Sequence, residues 1–183
     1  MPFLLVQPKG DHFMDRIDTE FQAELKSIEL REMLERADNA VAIAVGTTAA
    51  TGFVPIPFAD APLLIAQQVT LMATICGIFK INIKKDGLTA LATAALSASG
   101  ATIIGKTVAT NLMKLIPGAG TAAGGAISSG TAGIITLAMG KAFIEVCKAA
   151  KMGILSEADI TSIKGKQLFK DAFKKQIKIA KKK

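Results

Sequence analysis

The sequence predicts an all-α fold, a bundle of about four to six helices packed through small residues. Three observations carry this. Half of the 183 residues are apolar, yet Trp and Tyr are absent, and Ala, Gly, Ile, Leu and Thr make up much of the chain. Two Pro/Gly breakers, at 52–62 and 116–121, cut the apolar sequence into helix-length pieces. No two apolar runs alternate as paired strands would. Mean hydropathy is +0.41 although 20% of the residues are charged, so the charges must be segregated. Between Ala40 and Phe79 the only charge is Asp60, and Leu88–Gly105 and Leu115–Gly140 have none.

Phe3–Val6 reads as a short extended segment closed by Pro8-Lys-Gly10. Met14–Asp38 reads as an amphipathic helix, with Phe21, Leu25, Ile28, Leu30, Met33 and Leu34 at roughly helical spacing among alternating acids and bases. It turns apolar without a break and is expected to run to about Ala50. Pro55, Pro57 and Pro62 forbid continuation. Asp60 is placed as an N-cap, with Pro62 in the first turn, where its missing N–H costs nothing. A helix from Ala61 to about Phe79 follows, then a polar turn at Lys84–Gly87, then an Ala-rich helix from Leu88 to about Leu115, notched at Gly100. Pro117 breaks the chain again, and Thr121 is placed as the cap of a long helix ending near Lys151. Gly is costly in an exposed helix, so Gly124, Gly125, Gly133 and Gly140 in this one predict a close helix–helix contact. Ser156-Glu-Ala-Asp159 resembles a capping box and opens a basic tail. There Phe169, Phe173, Ile177 and Ala180 fall on one stripe, and Lys166, Lys170, Lys174 and Lys178 on an adjoining one. The chain divides on this reading into 1–36, 37–151 and 152–183.

Gly100-Ala-Thr-Ile-Ile-Gly-Lys-Thr107 satisfies the pattern of a phosphate-binding loop. Such a loop follows a buried strand, whereas Leu88–Ser99 is Ala-rich and helical, and no companion aspartate or Asn-Lys-x-Asp accompanies it. Chance is therefore the favoured reading of the match. One histidine, His12, and no Ser/His/Asp, Cys/His or metal-spaced set leave no catalytic constellation, so no enzyme, cofactor or metal is expected. Cys76 and Cys147 read as buried free thiols. The start has no basic n-region and predicts no secretory leader.

The net charge of +7 is local. Lys164–Lys183 holds nine Lys against Asp171, +8, and the remainder sums to −1. A basic patch at one terminus points to an anionic partner for that segment. The segment has Lys without Arg, and its Phe residues share a stripe with Ile177, which favours lipid or packing over a nucleic acid.

Pro55-Ile-Pro-Phe-Ala-Asp60, Gln67 or Gln68 with Met72, then Lys114-Leu-Ile-Pro-Gly-Ala-Gly-Thr121 and Thr136-Leu-Ala-Met-Gly140 resemble the small-residue helical family DUF697 over roughly Ala37–Lys151. That domain is often found C-terminal to small GTPase domains, including relatives of the interferon-inducible GTPases. Phe3–Val6 and Asp11–Asp15 are similar to the last strand and helix of such a GTPase domain. The resemblance implies an all-helical module attached to membranes or to a switch, with the GTPase core absent and no nucleotide-binding residues to carry over.

The leading expectation is a non-enzymatic helical module that associates with a membrane on the cytoplasmic side. Lys166, Lys170, Lys174, Lys175 and Lys178 would meet an anionic surface, and Phe169, Phe173 and Ile177 would insert at the headgroup boundary or dock on the bundle. The uncharged segments are about as long as a bilayer core, which takes about 20 residues per helix, but are only moderately apolar. The alternative is a soluble interaction or oligomerisation module, with a second copy or a GTPase as its partner.

Overall fold

The structure is a computed structural model that describes residues 11–51, 60–99 and 129–180. Within these it is all helical: α1 (Asp11–Thr51), α2 (Asp60–Ile78), α3 (Lys85–Ser99), α4 (Ser129–Lys151), a 3-10 turn (Ala158–Thr161) and α5 (Ile163–Ala180). The expected all-α class holds, and no strand occurs among the described residues. The extended segment at Phe3–Val6, the notch at Gly100, and Pro117, Thr121, Gly124 and Gly125 lie outside them.

α4 is the central helix. α1 and α5 each pack along it and share no comparable seam with each other, while α2 lies against α1, α3 and α4, and α3 closes on α5. The largest buried side chains are Phe79, Phe143, Phe169 and Phe173. Phe143 of α4 meets Phe169 of α5 edge to face, with centroids 5.8 Å apart at 79°, a geometry that the ring quadrupoles favour. The tail is thus an integral helix of the bundle, and α1 runs unbroken across position 36.

α1 and α2 have nearly the expected extents, and α2 begins at Asp60. Its end is a C-terminal hook: the Ile81 N–H donates to Cys76 O (2.9 Å) and the Lys80 N–H to Gly77 O (3.2 Å), with Lys80 at φ 52°. This left-handed position usually falls to Gly. Here Lys80 holds it while its Nζ reaches Glu29 Oε1 at 2.8 Å, and the bond and charge of Lys80 hold the Glu29 carboxyl below its usual range. α4 ends in the same motif with Gly153, φ 72°, in the left-handed place: the Ile154 N–H donates to Ala149 O at 2.9 Å.

Two local readings are corrected. Lys84–Gly87 is not a separate polar turn, because Lys85, Asp86 and Gly87 form the first turn of α3, with Asp86 favourably placed at the positive helix end. Only half of the Ser156–Asp159 box is seen, and it opens one 3-10 turn: the Asp159 carboxylate takes the Ser156 hydroxyl, not its backbone N–H. The Ser156 Oγ accepts the Asp159 N–H (3.1 Å) and donates to Asp159 Oδ2 (2.6 Å). α5 starts afresh from Ser162, whose Oγ accepts the Gly165 N–H at 3.4 Å. The chain folds back so tightly here that a Cβ on Gly165 would collide with the backbone carbonyls of Asp159 and Ile160.

Candidate interaction surfaces

α5 separates its residues by chemistry. Phe169, Phe173 and Ile177 are 1%, 0% and 4% exposed and face the core. Of the two places expected for them, the bundle is the one they occupy here, so they are not at the surface as membrane contacts. Burial of three large apolar side chains on one short helix, at about 1.5–3 kcal/mol each, explains the docking. Lys164, Lys174, Lys175 and Lys178 lie on the opposite, exposed side, with Lys166 and Lys170 half-buried at its borders. Lys175 Nζ is 3.5 Å from Glu145 Oε1 of α4, and the Gln176 amide donates to the same oxygen at 2.8 Å. Lys164, Lys174 and Lys178 form no ion pair within 4 Å among the described residues. The exposed face is therefore a strip of net positive charge: Lys164, Lys174 and Lys178 outnumber the one exposed acid on it, Asp171, and the helix leaves only Ile163, Leu168 and Ile179 as exposed apolar side chains.

α1 has two apolar stripes where the sequence reading saw one. Leu30, Met33, Leu34, Ala37 and Val41 pack on the bundle. Met14, Ile17, Phe21, Leu25 and Ile28 are 43–58% exposed. At about 100° per residue the second set falls on the side opposite the first. The signal was available in the register between Leu25 and Met33.

Between α1 and α2 lies an open groove of about 510 Å³ lined by Ala40, Ala44, Thr47, Ala66, Thr70 and Leu71, among others. Thr47 and Thr70 turn their hydroxyls back onto the carbonyls of Ile43 and Ala66, at 3.0 and 2.9 Å, so the groove offers mostly methyl groups.

The small residues of α4 split in role. A Cβ on Gly140 would come within 2.5 Å of Val41 Cγ2 and 3.2 Å of Leu71 Cδ2, so α4 meets α1 and α2 closely there. A Cβ on Gly133 would meet Val45 Cγ1 at an ordinary 3.7 Å. In the same seam the buried Gln68 donates its amide to Thr136 Oγ1 at 2.9 Å, and Gln68 Oε1 has no hydrogen-bond partner among the described residues. Cys76 and Cys147 are buried, and the Cys147 thiol is pushed up by its hydrogen bond to Cys76 and by burial. Asp60 and Pro62 open α2. The phosphate-loop residues lie outside the described range, but the segment before them, Lys85–Ser99, is α-helix rather than the strand such a loop follows.

Among the described residues no three His, Cys, Asp or Glu gather as metal ligands, and no helix is long and apolar enough to cross a membrane. The family described as Domain of unknown function (DUF697) matches residues 13–174. Nothing matches the chain among curated proteins or solved structures. Two of the quoted stretches that resemble that family meet in space: Gln68 and Met72 of α2 belong to the core that Thr136 and Gly140 of α4 complete.

Proposed function

The chain belongs to the DUF697 family, and from that premise we propose that it is a non-enzymatic helical module that attaches peripherally to anionic membrane surfaces on the cytoplasmic side. The observation that carries this is the exposed face of α5, where Lys164, Lys174 and Lys178 stand without ion-pair partners among the described residues while the apolar stripe of the same helix is spent on the core. Such a face binds mainly by charge. Each Lys close to an anionic leaflet contributes on the order of 1 kcal/mol, and the attraction decays over about 8 Å at physiological ionic strength. Shallow, salt-sensitive attachment follows, rather than insertion.

Flotation of the intact chain with vesicles of neutral phosphatidylcholine, alone or mixed with phosphatidylserine, tests this. Binding to the anionic vesicles that salt reverses is expected, and equal binding to both compositions contradicts the reading. The absence of catalysis rests on the missing constellation in the sequence. Fluorescent GTP and ATP analogues with magnesium are accordingly expected not to bind at micromolar concentration. Binding that Lys106→Ala abolishes would show a nucleotide site instead.

A further inference from the structure

From Met14 to Glu29 every residue of α1 is exposed. At about 1.5 Å per residue this is an arm about 24 Å long, which joins the bundle where Glu29 meets Lys80. A helix of this length in water is marginal on its own and has no need of an apolar stripe. Yet Met14, Ile17, Phe21, Leu25 and Ile28 form one, at spacings of three and four residues, on the side turned away from the core. Residues near it on the helical wheel are mostly acidic: Asp18, Glu24, Glu32 and Glu35, all exposed, against Arg36. Over residues 11–38 nine acids stand against four bases.

We infer that the N-terminal arm of α1 is a docking surface for an amphipathic helix of another protein, one whose apolar stripe is rimmed by Lys or Arg. The charge of the rim selects this occupant. An anionic lipid surface is repelled by it. A second arm laid alongside would set carboxylates against carboxylates, and like-charge juxtaposition opposes association. The chain's own basic helix, α5, keeps Phe169, Phe173 and Ile177 inside the bundle and leaves exposed only Ile163, Leu168 and Ile179, whose spacing of five and eleven residues makes no stripe to match that of the arm. An apolar-faced helix in an apolar-faced groove or seam is read through anchors at i, i+3, i+4 and i+7, and the stripe has that spacing. The inference does not rest on lipid attachment through α5.

The probe is a pair of 20-residue amphipathic helical peptides, both with Leu on one face, one with Lys and one with Glu on the other. In fluorescence anisotropy with the full chain, the Lys peptide binds at least about tenfold tighter than the Glu peptide. Ile17→Ser with Phe21→Ser and Leu25→Ser lowers Lys-peptide binding by about tenfold or more. A charge-reversed chain, Asp18→Lys with Glu24→Lys and Glu32→Lys, keeps the stripe and the helix and inverts the preference toward the Glu peptide. Three results would each overturn the inference: equal affinity for the two peptides, no inversion on charge reversal, or an arm variant that loses anionic-vesicle binding. A wild-type dimer that the triple Ser variant converts to monomer in sedimentation velocity would name a second copy as the occupant and overturn it too.

Discussion

Gly133 and Gly140 lie about two turns apart in α4 and are expected to respond oppositely to one substitution. Ala is worth up to about 1 kcal/mol over Gly in a helix. At Gly133 the new methyl enters ordinary contact with Val45, so Gly133→Ala should raise stability by up to that amount. At Gly140 it meets Val41, itself 1% exposed and stiff at χ1. The overpacking penalty of about 1–3 kcal/mol exceeds the helical gain, and Gly140→Ala should lower stability. Thermal unfolding followed by circular dichroism reads the pair, at about 2–4 °C per kcal/mol for a chain of this size. Shifts of the same sign would contradict the close contact. Gly165→Ala should cost more than Gly140→Ala, because backbone carbonyls rather than methyl groups stand in the way. Both thiols should resist a thiol reagent in the native chain and react after denaturation; rapid native labelling would show that the α2–α4 seam opens.

α5 is an element with two independent faces, and mutation should separate them. Phe173→Ala removes a fully buried ring and should cost about 3–5 kcal/mol. Lys174→Gln, on the exposed side, should change stability by less than about 0.5 kcal/mol. A large loss in the second variant, measured by denaturant unfolding, would mean that the lysines hold the fold. The helix extents were readable in the sequence because their ends are marked by strong breakers: Asp60 and the prolines before it bound α2, and uninterrupted helical spacing carries α1 through position 36. Lys84–Gly87 was misread because polar residues with Gly mark both turns and first helical turns. The direction of each stripe was harder. Periodicity shows that Phe169, Phe173 and Ile177 share a face, but lipid and a protein core reward that face equally. In α1 the passage from Ile28 to Leu30 hides a reversal of side that counting apolar residues does not detect. Gly165 gave no signal, since its constraint comes from carbonyls five and six residues earlier that approach only because the 3-10 turn folds the chain back.

Across the whole molecule the charge is polarised. The acidic half of α1 and the basic face of α5 are carried by helices that both pack on α4 and not along each other, while Lys164–Lys183 alone sums to +8. Such a molecule should approach an anionic surface with α5 leading and the α1 arm held away, so lipid attachment and helix docking could proceed together. Raising salt should weaken attachment without unfolding the bundle, because the core is apolar. The most direct test of attachment through α5 is a vesicle titration of the intact chain against a variant with Lys164, Lys174, Lys175 and Lys178 each changed to Gln. The account predicts that the variant keeps its helicity and melting temperature but binds phosphatidylserine vesicles at low salt on the order of 100-fold more weakly, from about 1 kcal/mol for each of the three lysines not already paired, Lys175 being held by Glu145. Equal binding by the two chains would contradict it.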